Sequence, residues 1–147
     1  MEKLGNYRFS MEKILDWRSD TEEEKKKNLA DAQRDKLRQE ALLQELIQEN
    51  IKIKNESLST TRIDILRRQN LYKVLLDERI VQQKNVLDQA EKALENARVE
   101  LMSAHKDKKV MEKLKEKEYT LVMEQEKNEE QKQLDEMAAL SFGRSSY

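Results

Sequence analysis

Residues 87–104 read LDQAEKALENARVELMSA, and their spacing decides the fold. Leu87, Leu94 and Leu101 recur every seven residues, and Ala90, Ala97 and Ala104 do the same. Leucine at one core position and alanine at the other, held over three heptads, is the seam of a coiled coil. Alanine at every second core position lets two helix backbones approach closely, which suits an antiparallel pair. The whole-chain composition agrees. Of 147 residues, 40% are charged and only 37% hydrophobic, with 5% aromatic, two glycines and no proline. Strand proteins need turn residues, β-branched residues and aromatics, and a conventional globular core needs more apolar side chains. The expected fold class is all-α: a long antiparallel two-helix coiled-coil hairpin forming a single domain.

Upstream of the seam, Leu66, Tyr72, Leu75, Leu76, Ile80 and Val81 form a dense apolar patch. Before it, NESLSTT at 55–61 is the one mid-chain cluster of turn-favouring residues. Thr61 followed by Asp64 has capping-box spacing, with Thr61 as the N-cap of the second helix. The tip of the hairpin is therefore placed at about 55–70. The first helix is expected over about 10–55. Ser10 is its N-cap, Glu12 sits in the first turn, and Met11, Ile14, Leu15 and Trp17 give an early apolar face. The stripe returns at Leu29, Ala32, Leu37, Leu43, Leu46, Ile47, Ile51 and Ile53 after a polar stretch from Thr21 to Asn28.

Downstream, Met111, Leu114 and Leu121 suggest a slip of register near Lys108. Beyond Val122 the apolar stripe fades. Residues 124–136 carry six acids against two lysines. The second helix is expected to end near 139, with both chain ends fraying. At about 1.5 Å per residue the two helices span ~70 Å and ~100 Å, so the second overhangs by roughly four turns. A helix that is polar all round and lacks an intrachain partner is frayed or waits for another protein.

Catalytic and metal chemistry find little support. Gly5 and Gly143, the two glycines, lie near the ends, so no glycine-rich phosphate loop can form. His105 is the one histidine, one step past a seam alanine in a lysine-rich turn, and reads as a solvated flank residue. Without cysteine or further histidines it cannot build a zinc site. Glu129 and Glu130 are adjacent on a helix and diverge. No catalytic residue, metal or cofactor is expected. Lysine and arginine (29) nearly balance aspartate and glutamate (30), so no basic field draws the chain to nucleic acid. Lys25–Lys26–Lys27 and the lysines of 106–117 are interleaved with or adjoin acids and read as solvated faces. Apolar runs are far short of the ~18 residues of a membrane span. With no secretory h-region at the N-terminus, an intracellular setting is the default.

The patch beside the tip is the best candidate for an interaction site. Tyr72 and Leu76 share a face beside the tip. At the other end, Trp17 reads first as seam packing with Ile14.

Several local patterns then coincide. Tyr7-Arg8-Phe9 leads into Met11-Glu12-Lys13-Ile14-Leu15. Tyr72, Leu75, Leu76, Ile80, Gln82 and Gln83 follow the break. Glu129-Glu130-Gln131-Lys132-Gln133-Leu134-Asp135-Glu136-Met137-Ala138 closes the second helix, with Phe142 beyond. In this order the chain resembles the FliJ family of bacterial flagellar export proteins. The resemblance implies a non-enzymatic, cytoplasmic, stalk-like coiled coil of the flagellar type III export apparatus, peripherally associated with the inner face of the cell membrane. It implies three partners: the export ATPase FliI, the export gate protein FlhA and export chaperones. Gate binding would map to Tyr72 and Leu76, continued by Arg79 and Gln83, with Leu46 and Ile53 as the nearest helix-one counterparts. The family more often has a small residue at the place of Arg79 and an imidazole at that of Gln83. ATPase-ring binding would map to the end bearing both termini: Met11, Ile14 and Trp17, with Glu129, Glu130, Leu134, Asp135 and Glu136. The alternatives are a self-associating coiled-coil scaffold and a hairpin chaperone with no ATPase partner.

Overall fold

The computed structural model describes residues 7–145. Two helices, α1 (Glu12–Leu58) and α2 (Ile63–Ser145), fold back on one another as a helical hairpin. No strand occurs among the described residues. Helices this long persist because strong helix formers fill them and because each lays an apolar stripe on its partner. The expectation of fraying at 1–9 and 140–147 lies partly outside the described residues, at 1–6 and 146–147. α2 remains helical through Ser145, past the expected end near 139.

The turn between the helices is built from hydroxyls. The Ser59 amide and hydroxyl both donate to the Glu56 carbonyl, at 3.1 and 2.7 Å. The Ser57 hydroxyl donates to the Ile53 carbonyl at 2.9 Å. The Glu56 carbonyl, which the end of α1 leaves without an i+4 helical partner, is thus satisfied by Ser59, while the Ser57 hydroxyl bonds back within the last turns. No described residue has a positive φ, so the chain reverses without the left-handed residue that ends many helices. On the far side, Thr60 Oγ1 accepts the Arg62 amide at 3.4 Å, and the Arg62 carbonyl accepts the Leu66 amide at 3.0 Å. Arg62 is thus the N-cap, one residue after the expected Thr61. Asp64 keeps its place in the first turn.

The start of α1 also departs from expectation. The Ser10 hydroxyl and amide donate to the Glu118 carboxylate, at 2.8 and 3.3 Å, instead of the hydroxyl capping the helix. Met11 takes the cap position, its carbonyl accepting the Leu15 amide at 3.0 Å.

The chain packs as two units, one of residues 23–103 and one of the segments up to Glu22 and from Ala104 onward. In the 23–103 unit, Leu76, Ile80, Gln83, Leu87, Ala90, Leu94, Ala97 and Leu101 alternate in steps of four and three, and each is buried or half-buried. On α1 the matching frame is Leu29, Ala32, Lys36, Gln39, Leu43, Leu46, Asn50 and Ile53. Leu37 and Ile51, expected in the stripe, are exposed, and Lys36 and Asn50 hold the inward places. The pairing is antiparallel: Lys25 meets Glu100 at 3.2 Å, Gln39 meets Gln83, and Asn50 meets Asp77 at 3.3 Å.

In the other unit the same alternation continues through Ala104, Lys108, Met111, Lys115, Glu118 and Val122 without interruption. The register slip expected near Lys108 is absent, and Leu114 and Leu121 face solvent. Lysine can serve a seam because its aliphatic stem packs while its ammonium reaches outward. Lys115 Nζ lies 3.1 Å from a Glu12 oxygen, and Lys108 Nζ lies 3.9 Å from Glu22 Oε1.

Leu76 is the one fully buried large side chain among the described residues, at 0% exposure, whereas its neighbour Leu75 is half exposed. Leu76→Ala should therefore destabilise the hairpin by about 3 kcal/mol, and Leu75→Ala by less than about 1 kcal/mol. Urea denaturation followed by circular dichroism measures both.

Candidate protein-interaction surfaces

Each unit carries one of the expected surfaces. In the unit holding both chain ends, residues 7–11 form an arm ahead of α1. Phe9 is buried, and the Tyr7 ring meets the Tyr119 ring edge-on, with centroids 5.4 Å apart. The Tyr7 hydroxyl is shielded from solvent and has no hydrogen-bond partner, and this burial, with the nearby Glu118 charge, raises its pKa. The arm and Lys115 line a groove of about 620 Å³, with Met11 and Ile14 on its wall.

Met11 and Ile14 are partly exposed, and Trp17 is 58% exposed. The reading of Trp17 as seam packing is thereby corrected. The seam positions belong to Leu15 and Arg18, both half-buried. The Arg18 guanidinium lies 4.6 Å from the centre of the Trp17 ring and 3.2 Å from Asp107. Trp17 is thus presented outward with a cation over its face, the pairing expected of an exposed indole.

Glu22 is a residue the sequence reading missed. It is 3% exposed and occupies a seam position, with His105 Nδ1 3.2 Å away. Counting back in sevens from Leu43 and Leu29 reaches Glu22, so the signal was present but was masked by charge. His105 itself is exposed, as expected of a flank residue, but it also touches this buried carboxylate.

Past Val122, α2 leaves the seam. Every residue from 127 to 143 is exposed, including Glu129, Glu130, Leu134, Asp135 and Glu136. The expected ATPase-side residues therefore all lie on solvent-facing surface, with Gln131 and Asp135 joined at 3.1 Å along the helix.

In the 23–103 unit the expected gate residues divide. Tyr72 is 38% exposed, and Arg79 is exposed. Leu76 is fully buried, so it supports the patch and offers no surface to a partner. Gln83 is half-buried, and its amide donates to the Gln39 carbonyl at 3.0 Å and to Gln39 Oε1 at 2.7 Å. Gln39 in turn donates to Asp35 at 3.3 Å, and that bond, with the one from Arg38, lowers the Asp35 pKa. The network turns Gln83 inward as a register-setting residue. Leu46 is half-buried and Ile53 buried, so neither adds much to the exposed face. No group of acidic or histidine side chains suited to a metal ion occurs among the described residues, and no helix there is long and apolar enough to cross a membrane.

The Tyr72 hydroxyl donates to Glu49, and this bond is the main cause of a raised phenol pKa. Because the folded value is raised, whatever stability the bond contributes is whole below the unfolded value and is lost as pH rises through the folded one. Glu49→Gln should move the Tyr72 titration, followed by ultraviolet phenolate absorbance against Tyr72→Phe, back toward the ordinary tyrosine range near 10.

A family model described as "Flagellar FliJ protein" matches residues 7–146. No curated protein matches the sequence. Among solved structures, a putative YscO homologue from Chlamydia trachomatis shares the fold with a TM-score of 0.65. The two are 22% identical, over 91% of this chain and 94% of that one. With the family match running through nearly the whole sequence, the chain belongs to the flagellar FliJ family and is a component of flagellar type III export.

Proposed function

We propose that this chain is a non-enzymatic stalk that binds the export ATPase FliI through the unit carrying both chain ends and the export gate protein FlhA through the Tyr72 surface. In this reading it couples nucleotide turnover to export and escorts export chaperones at the inner face of the membrane. The observation that carries the ATPase side is the exposed stretch of α2 at 127–143, which has left the seam and bears an excess of acids beside exposed Leu134 and Met137. A slender charged helix that its own chain does not cover suits insertion into a ring. Exposed Met11, Ile14 and Trp17 extend this apolar component within the same unit. On the gate side the contact falls to Tyr72 and Arg79, while Leu76 and Gln83 hold the surface in register.

Removal of residues 124–147 should abolish stimulation of the export ATPase while the 23–103 unit keeps its helicity. Unchanged stimulation would overturn the assignment of that end. Tyr72→Ala should weaken binding to the cytoplasmic part of the gate protein about tenfold, the loss typical of an aromatic anchor. Titration calorimetry checks it.

A further inference from the structure

Within the 23–103 unit, α2 carries a second stripe that the hairpin does not use. Leu71, Val74, Glu78, Val81 and Asn85 follow one another in steps of three and four. They lie on the side of α2 away from the seam of Leu76, Ile80 and Gln83. Leu71 is 67% exposed, Val74 49% and Val81 59%. A solvated helix position is best served by alanine, lysine or glutamate, and valine loses side-chain freedom in a helix. Branched aliphatics outward at heptad spacing in so charged a chain therefore call for a partner.

The chemistry of the stripe says which partner. Val74, Asp77, Glu78, Val81 and Gln82 line a shallow groove of about 460 Å³. Asp77 already accepts the Asn50 amide at 3.3 Å. Glu78, exposed in the middle of the stripe, makes no hydrogen bond or ion pair with the described residues. Covering the stripe with another helix would strip water from this carboxylate, which is costly unless a cation arrives with the partner. A second copy aligned stripe to stripe about Glu78, in either direction, fails that condition, because it brings the Glu78 carboxylates of both chains together in a desolvated interface.

We propose that this outward face of α2 docks an amphipathic helix of another protein, with aliphatic residues at heptad spacing and an arginine or lysine placed opposite Glu78. The surface is distinct from Tyr72 and Arg79 and does not depend on the ATPase or gate assignments.

The test uses the full chain and two synthetic helical peptides of three heptads, with leucine at the core positions. One peptide has arginine at its central outward-contacting position and the other has glutamate. Fluorescence anisotropy should show the arginine peptide binding at least about tenfold more tightly. Val74→Lys with Val81→Lys should abolish this binding without changing helix content or thermal midpoint. Glu78→Lys, which leaves the aliphatic residues in place, should reverse the preference between the peptides. Equal affinities, no binding of the arginine peptide, or binding that survives the paired lysine substitutions would overturn the proposal. So would a concentration-dependent dimer that those substitutions dissolve.

Discussion

Two helices packed only on each other can each bury one narrow stripe, and in this protein that stripe is partly polar. The constraint is one of pattern and not of supply: Leu37, Ile51, Val81, Leu114 and Leu121 lie on exposed faces while polar side chains hold inward positions. The buried apolar residues are Phe9, Leu43, Ile53, Leu76, Ile80, Leu94, Met111 and the seam alanines Ala90, Ala97 and Ala104. Elsewhere the inward places fall to Lys36, Gln39, Asn50 and Gln83, and to Glu22, Lys108 and Lys115. Each of these would be costly alone. They are tolerable because stems pack and polar ends meet a counterpart, as Gln83 meets Gln39 and Lys115 meets Glu12. Polar seam positions of this kind give up stability for a defined register. A Gln83 shifted by one turn would lose both its bonds to Gln39, so the antiparallel alignment is set by matching and not by apolar area alone.

That pattern also shapes the surfaces. Because the seam takes so few apolar groups, those that lie elsewhere are visible as surface features. Trp17, Leu134, Met137 and the stripe from Leu71 to Val81 are the principal examples. Burial likewise separates residues that form a surface from residues that hold it. Tyr72 is partly exposed while Leu76 is sealed, so substitution at 72 changes the surface and substitution at 76 changes the packing.

The seam from Leu87 to Ala104 and the reversal near residue 60 were legible from the sequence because heptad leucines and a run of serines and threonines are strong, local signals. The all-α hairpin followed from them. The frame beyond Ala104 was not legible by hydrophobicity. Leu114 and Leu121 suggested a slip, while the true frame ran through Lys108 and Lys115, whose charges hid their packed stems. The same masking hid Glu22 and made Leu37 and Ile51 look inward. Ser10 and Thr61 had the right chemistry for caps, but long-range and neighbouring partners decided their roles: Glu118 took the Ser10 hydroxyl, and the cap of α2 moved to Arg62. Of the candidate site, the residue types and their location in the chain were readable. Which of them face outward was not, since exposure depends on the frame that the lysines concealed.

The central claim is that a single chain closes its own antiparallel seam in this register. The chain has no cysteine, so spin labels can be placed on Leu37→Cys and Val86→Cys, two exposed positions on α1 and α2 of the same unit. Pulsed electron resonance should give one short, narrow distance that is unchanged when labelled protein is diluted into unlabelled protein. A distance that vanishes on dilution, or a broad distribution in place of one narrow peak, would contradict the account.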